Sequence, residues 1–148
     1  MDPLTAFSLA GTIIQFVDYG TKILRGSKGL YDSASGASVV NDEIETRTKD
    51  LLDLVIKLRR PLSLESTSAD YATYTALQEL CNGCRKVADE LIARLQRLKV
   101  EGQHRAWKSF RQAIKSVWSQ KDIDMLCKRL SEFRRSLDTH ILSSLRYL

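Results

Sequence analysis

The stretch YTALQELCNGCRKVADELIARLQRL, Tyr74–Leu98, is the one on which the fold turns. Tyr74, Leu77, Cys81, Cys84, Ala88, Leu91, Leu95 and Leu98 recur at alternating spacings of three and four. That is the apolar seam of a helix packed nearly parallel to its neighbours. A helix over 70–99 is about 45 Å long at about 1.5 Å per residue. Asn82-Gly83 is ordinarily a turn signal, yet the seam runs through it, so the pair reads as a weak spot and a candidate kink within one helix.

Other segments repeat the pattern with their own punctuation. Asp2 and Pro3 suit an N-cap and first helical position, and the first helix runs from there towards Gly26 or Gly29. SASGAS (33–38) reads as a loop. Asp42, Glu43 and Glu45 then open a second helix that closes with Lys57, Arg59 and Arg60 before Pro61, as the helix dipole favours. LSLESTS (62–68) is a second loop, with Thr67 and Asp70 forming a capping-box pattern ahead of the long helix. A fourth helix is expected from about His104 to Trp118. Ser119 and Asp122 then cap a fifth, whose stripe of Ile123, Leu126, Leu130, Phe133, Leu137, Ile141, Leu145 and Leu148 is still running at the last residue. A stripe without a stop signal suggests a piece of a longer protein.

At 148 residues, with 7 Gly, 2 Pro and 28% charged residues, the chain fits one all-α domain, an up-and-down bundle of four to five helices. Residues 1–30 supply the hydrophobic N-terminal helix and 38–148 the remaining bundle helices. Three cysteines, with no secretory signal in view, argue for reduced thiols in a cytoplasmic setting. The net charge of +5 hides a division: residues 85–135 hold 14 Lys/Arg against 6 Asp/Glu, and the rest of the chain is net acidic. Such a basic region suits phosphate, an anionic leaflet or an acidic partner, and equally a solvated helix face.

The residues for catalysis are sparse. There are two histidines, His104 and His140, and no phosphate-binding glycine loop, HExxH or serine elbow, so the reading is a non-enzyme without cofactor or metal. CNGC (81–84) has the spacing of a zinc or redox pair, but both cysteines fall on the apolar seam, where a thiol packs as a small hydrophobe. HRAWKSFRQAIKSVW (104–118) carries Arg105, Lys108, Arg111 and Lys115 opposite Trp107, Phe110, Ile114 and Trp118. This pattern suits either an inward aromatic face with solvated bases or a helix laid on anionic lipid headgroups. Nucleic acid is the weakest partner, because a nucleic-acid module more often shows exposed aromatic platforms or a recognition helix with base-reading Asn or Gln.

The first helix is the unusual one. PLTAFSLAGTIIQFV (3–17) contains no ionisable side chain. Ala6, Phe7, Leu9, Ala10, Ile13, Ile14 and Val17 cover about half its circumference, with Phe16 at the edge and Thr5, Ser8, Thr12, Gln15, Asp18 and Tyr19 opposite. A signal peptide is disfavoured because Asp2 stands where bases belong. The uncharged run spans only about 22 Å, short of a hydrocarbon core of about 30 Å, and extending it to Leu24 brings Asp18 and Lys22 inside. Two readings follow: a plain core helix, or a helix that spans a bilayer only in the company of sister helices.

Three ordered segments, MDPLTAFSLAGTIIQFVDYGTKIL (1–24), WKSFRQAIKSVWSQKDI (107–123) and RLSEFRRSLDTHILSSLR (129–146), together resemble the HeLo-like N-terminal effector domain of fungal NLR-like (NACHT/STAND) proteins. That group is similar to the HeLo domain and to the four-helix bundle of the mixed lineage kinase domain-like pseudokinase. The resemblance implies a cell-death effector of incompatibility or innate immunity. It implies a helical bundle, held inactive ahead of a NACHT-type module in the same chain, that self-associates on activation and permeabilises the plasma membrane. Leu4, Phe7, Leu9, Ile13, Ile14, Phe16 and Val17 match its membrane-inserting positions, and Asp18 matches the acid that follows them, a candidate pore-lining residue. The rival expectation is a non-lytic adaptor that docks signalling partners through its basic face.

Overall fold

A computed structural model describes residues 3–26, 36–59, 68–101 and 107–142. Five helices pack against one another: α1 Pro3–Arg25, α2 Gly36–Leu58, α3 Ser68–Glu101, α4 Phe110–Val117 and α5 Gln120–Ser136. The last continues as a π-helical turn, Leu137–Leu142. No strand occurs among the described residues. The fold is an all-α bundle, as the apolar periodicities predict.

The long helix α3 is the spine, touching each of the other four helices and the π turn. Its seam is buried from Leu77 through Cys81, Cys84, Ala88, Leu91 and Leu95 to Leu98. The helix runs unbroken through Asn82-Gly83. Two contacts explain why a turn dipeptide serves inside a helix. The Asn82 Oδ1 accepts from Gln78 Nε2 one turn earlier at 3.3 Å, and from Arg85, so its amide is engaged along the helix. A Cβ on Gly83 would lie 2.9 Å from the Phe133 ring, so glycine is there to let α5 approach α3. Both seam cysteines act as hydrophobes: burial pushes the Cys84 thiol up to about 12 and the Cys81 thiol to about 11.

Three boundaries and the burial of one residue differ from the sequence expectation. Helix α2 begins at Gly36, inside the expected loop, so its first turn holds no acid and Asp42, Glu43 and Glu45 lie one to two turns in. Buried Val40 and Ile44 reward the earlier start by joining the core. Helix α4 begins only at Phe110, because residues 107–109 are not helical: Ser109 is an extended N-cap whose hydroxyl accepts from the Gln112 N–H at 3.1 Å. The fifth helix leaves α-geometry at Leu137, where the expected single stripe passes into the wider π turn. Phe16, placed at the edge of the apolar arc, is fully buried. The Ser119–Asp122 capping box forms as expected. The Thr67–Asp70 pattern and Pro61 lie outside the described residues.

Candidate functional site

Helix α1 packs against α2, α3 and α5. Three packed neighbours widen its buried arc beyond one face. Leu9, Ala10, Ile13, Phe16, Val17, Ile23 and Leu24 are all buried, and Ile14 is half-buried against the core. Leu4 and Phe7 fall in its first turns, outside the residues whose side chains are described. Among the described residues, no helix is long and apolar enough to cross a membrane.

The exposed side of α1 is polar but largely self-contained. Thr12 donates its hydroxyl to the Ser8 carbonyl at 3.0 Å, and Thr21 to the Val17 carbonyl at 2.8 Å. Each hydroxyl therefore finds its acceptor on its own helix, whatever solvent surrounds it. Two further side chains tie α1 to its neighbours. Tyr19 donates to Asp50 Oδ2 of α2 at 3.0 Å, with the Arg47 guanidinium 5.1 Å from its ring centroid. Burial pushes the Tyr19 hydroxyl up to about 12; Arg47 pulls against that shift and Asp50 adds to it. On the other flank Asp18 is exposed and pairs with Arg134 of α5 at 3.6 Å, which also reaches Asp138 in the π turn at 3.5 Å.

At its C-terminal end α1 meets the basic half of the chain. Gly26 has φ +78°, the left-handed conformation glycine adopts without a Cβ penalty, and its N–H donates to the Ile23 carbonyl at 3.2 Å. A side chain here would also meet Arg111 Cβ at 3.1 Å, so the cap of α1 sits directly on α4. Of the four bases expected to face lipid, Lys108, Arg111 and Lys115 are exposed, and Arg105 lies outside the described residues. Their aromatic partners turn inward: Trp107, Phe110 and Trp118 are buried, so in this conformation α4 presents its bases and not its rings. Arg94 of α3 fixes the corner after α4, donating to the Val117 carbonyl at 3.1 Å with its guanidinium 5.9 Å from the Trp118 ring.

Sequence reasoning missed Arg25, Lys128 and Arg135, which join Arg111 and Lys115 around two adjacent clefts of about 280 and 320 Å³ between α1, α4 and α5. Four of these five residues come from the consecutive helices α4 and α5 and the fifth, Arg25, from distant α1, so no local spacing announces the full set. No group of three metal-ligating side chains occurs among the described residues. No protein-family model, curated protein or solved structure matches this chain.

Proposed function

We propose that the chain is a membrane-targeting, pore-forming cell-death effector domain of the HeLo-like kind, in which α1 leaves the bundle on self-association and enters the plasma membrane. The observation that carries this reading is the make-up of α1. It has 23 residues, about 35 Å at 1.5 Å per residue, against a hydrocarbon core of about 30 Å. All its charged residues, Asp18, Lys22 and Arg25, lie in its last third. Two hydroxyls on its polar side are already satisfied within the helix. A bundle that only needed an amphipathic core helix has no use for so long an uncharged outer face. Asp18 makes a solitary span costly and an oligomeric one, with the acid facing water, tolerable. The exposed Lys108, Arg111 and Lys115 then draw the domain to anionic headgroups at about 1 kcal/mol per base near such a surface. The resting state of this proposal is cytoplasmic, with control supplied by a NACHT-type module in the same chain.

A second reading, a non-lytic adaptor, draws on Leu52 and Ile56. These lie one turn apart on α2 and are 42% and 63% exposed. One pair of variants separates the two. Ile14→Asp places a charge on the half-buried flank of α1, and Ile56→Asp places the same charge on the exposed face of α2. Under the pore reading, dye leakage from anionic liposomes and cell killing fall at least tenfold for Ile14→Asp and persist for Ile56→Asp, with both proteins helical by circular dichroism. The reverse pattern, or full leakage by Ile14→Asp, removes the pore reading.

A further inference from the structure

The two clefts at the end of α1 carry more cations than acids among the described residues. Arg25 lines both. Arg111 and Lys115 of α4 complete the first, Lys128 and Arg135 of α5 the second, and Asp124 is shared between them. Glu132 is the only other carboxylate on the lining, so five cations face two acids. None of the five cations is ion-paired among the described residues. The shared acid is partly occupied, since Asp124 Oδ1 accepts from Gln120 Nε2 at 3.0 Å. Like charges drawn from three helices onto one concave surface repel one another and focus a positive potential there.

A compact dianion relieves that repulsion by bridging Arg25 to the bases of α4 and α5. Arginine forks suit phosphoryl oxygens, two parallel N–H donors to two oxygens, and the lysines add point charge. We infer that these clefts form a binding site for a phosphate-type polyanion that staples the C-terminal end of α1 to α4 and α5. Because the bridge joins α1 to the helices it would have to leave, the bound anion holds the bundle closed. That inhibitory consequence rests on the proposed role of α1; the binding does not. Both a soluble pyrophosphate and the phosphomonoester of a lipid headgroup carry the chemistry required.

The test is the melting temperature of the whole chain, followed by circular dichroism at about 0.15 M total ionic strength, with sodium pyrophosphate replacing sodium chloride. Saturable binding raises the wild-type midpoint by on the order of 5 °C or more at a hundredfold excess over the dissociation constant. The rise disappears in Arg25→Gln/Arg111→Gln and survives in Lys86→Gln/Lys121→Gln, which removes the same charge from exposed positions outside both clefts. A parallel arm measures flotation with phosphatidylcholine vesicles containing phosphatidic acid. Dependence on Arg25 and Arg111 in that arm alone assigns the group to a lipid, and in the melting arm to a free anion. A response equal in both double variants, or none in either arm, overturns the site. Pyrophosphate should also slow liposome leakage several-fold; a raised midpoint with unchanged leakage overturns the staple while keeping the site. Melting needs no membrane, so failure of the pore reading leaves this result intact, and the converse holds.

Discussion

Replacing Phe16 by alanine tests whether α1 is a detachable strap or part of the core. Phe16 is fully buried, on a helix that meets α2, α3 and α5. Leu9, Ile13, Phe16, Val17, Ile23 and Leu24 are all buried with it, and at about 1.5–3 kcal/mol per large apolar side chain their gross contribution is about 9–18 kcal/mol. A domain of this size is typically stable by about 5–15 kcal/mol in total. Removing α1 from the bundle is therefore comparable to unfolding it, unless sister helices or lipid cover the exposed surface at the same moment. Phe16→Ala should cost about 3–5 kcal/mol in urea denaturation, in one cooperative transition seen alike by far-ultraviolet dichroism and tryptophan fluorescence. Trp107 and Trp118 are both buried, and neither belongs to α1, so the fluorescence reports on core packing outside that helix. A loss under about 1 kcal/mol, or an early dichroism change with unchanged fluorescence, refutes the reasoning and makes α1 a separately detachable element.

Tyr19→Phe removes the O–H donor to Asp50 and should lower stability by about 0.5–1.5 kcal/mol in the same assay, while speeding liposome leakage under the proposed function. Gly83→Ala gains up to about 1 kcal/mol of helix propensity but meets the Phe133 ring at 2.9 Å, and overpacking of about 1–3 kcal/mol should win. The same change in a Phe133→Leu background should be neutral or stabilising, which thermal melts will show. The raised thiol and phenol values make the fold sensitive to alkali. These groups are protonated in the native state above the pH at which the unfolded chain loses the proton, so their contribution is complete below about pH 9 and falls as pH rises towards about 12. Urea midpoints should decline across that window, and Cys84→Ala should flatten the decline. Under native conditions a thiol reagent should label half-exposed Cys127 quickly and Cys81 and Cys84 only on unfolding.

Much of the bundle was legible in the sequence because packing against a core imposes a period. The seam of α3, the inward aromatics around α4 and the Ser119–Asp122 cap are all local patterns. The differences arise where the deciding contact is distant. Gly83 reads as a turn residue until Phe133, fifty positions later, is seen against it. Phe16 reads as marginal on a wheel with one apolar face, whereas α1 has neighbours on three sides. Trp107 keeps helical phase with Phe110 and Ile114, which hid the non-helical residues before α4. The Ser109–Gln112 cap was the available signal, since Ser109 accepts the Gln112 N–H and the Gln112 side chain accepts the Lys108 N–H at 2.9 Å. The basic excess of residues 85–135 announced four of the five cleft cations, but not that Arg25 of α1 joins them, because that meeting is a long-range contact.

Arg94 gives the architecture an order of dismantling. Its hold on Val117 and Trp118 fastens the α4–α5 corner to the spine without calling on α1. If α1 departs, the surface carrying Lys108, Arg111 and Lys115 still has its own mooring. Under the proposed function, the arm that swings and the plate that grips would be mounted on separate supports, so losing Arg94 should blunt the grip before it frees the arm.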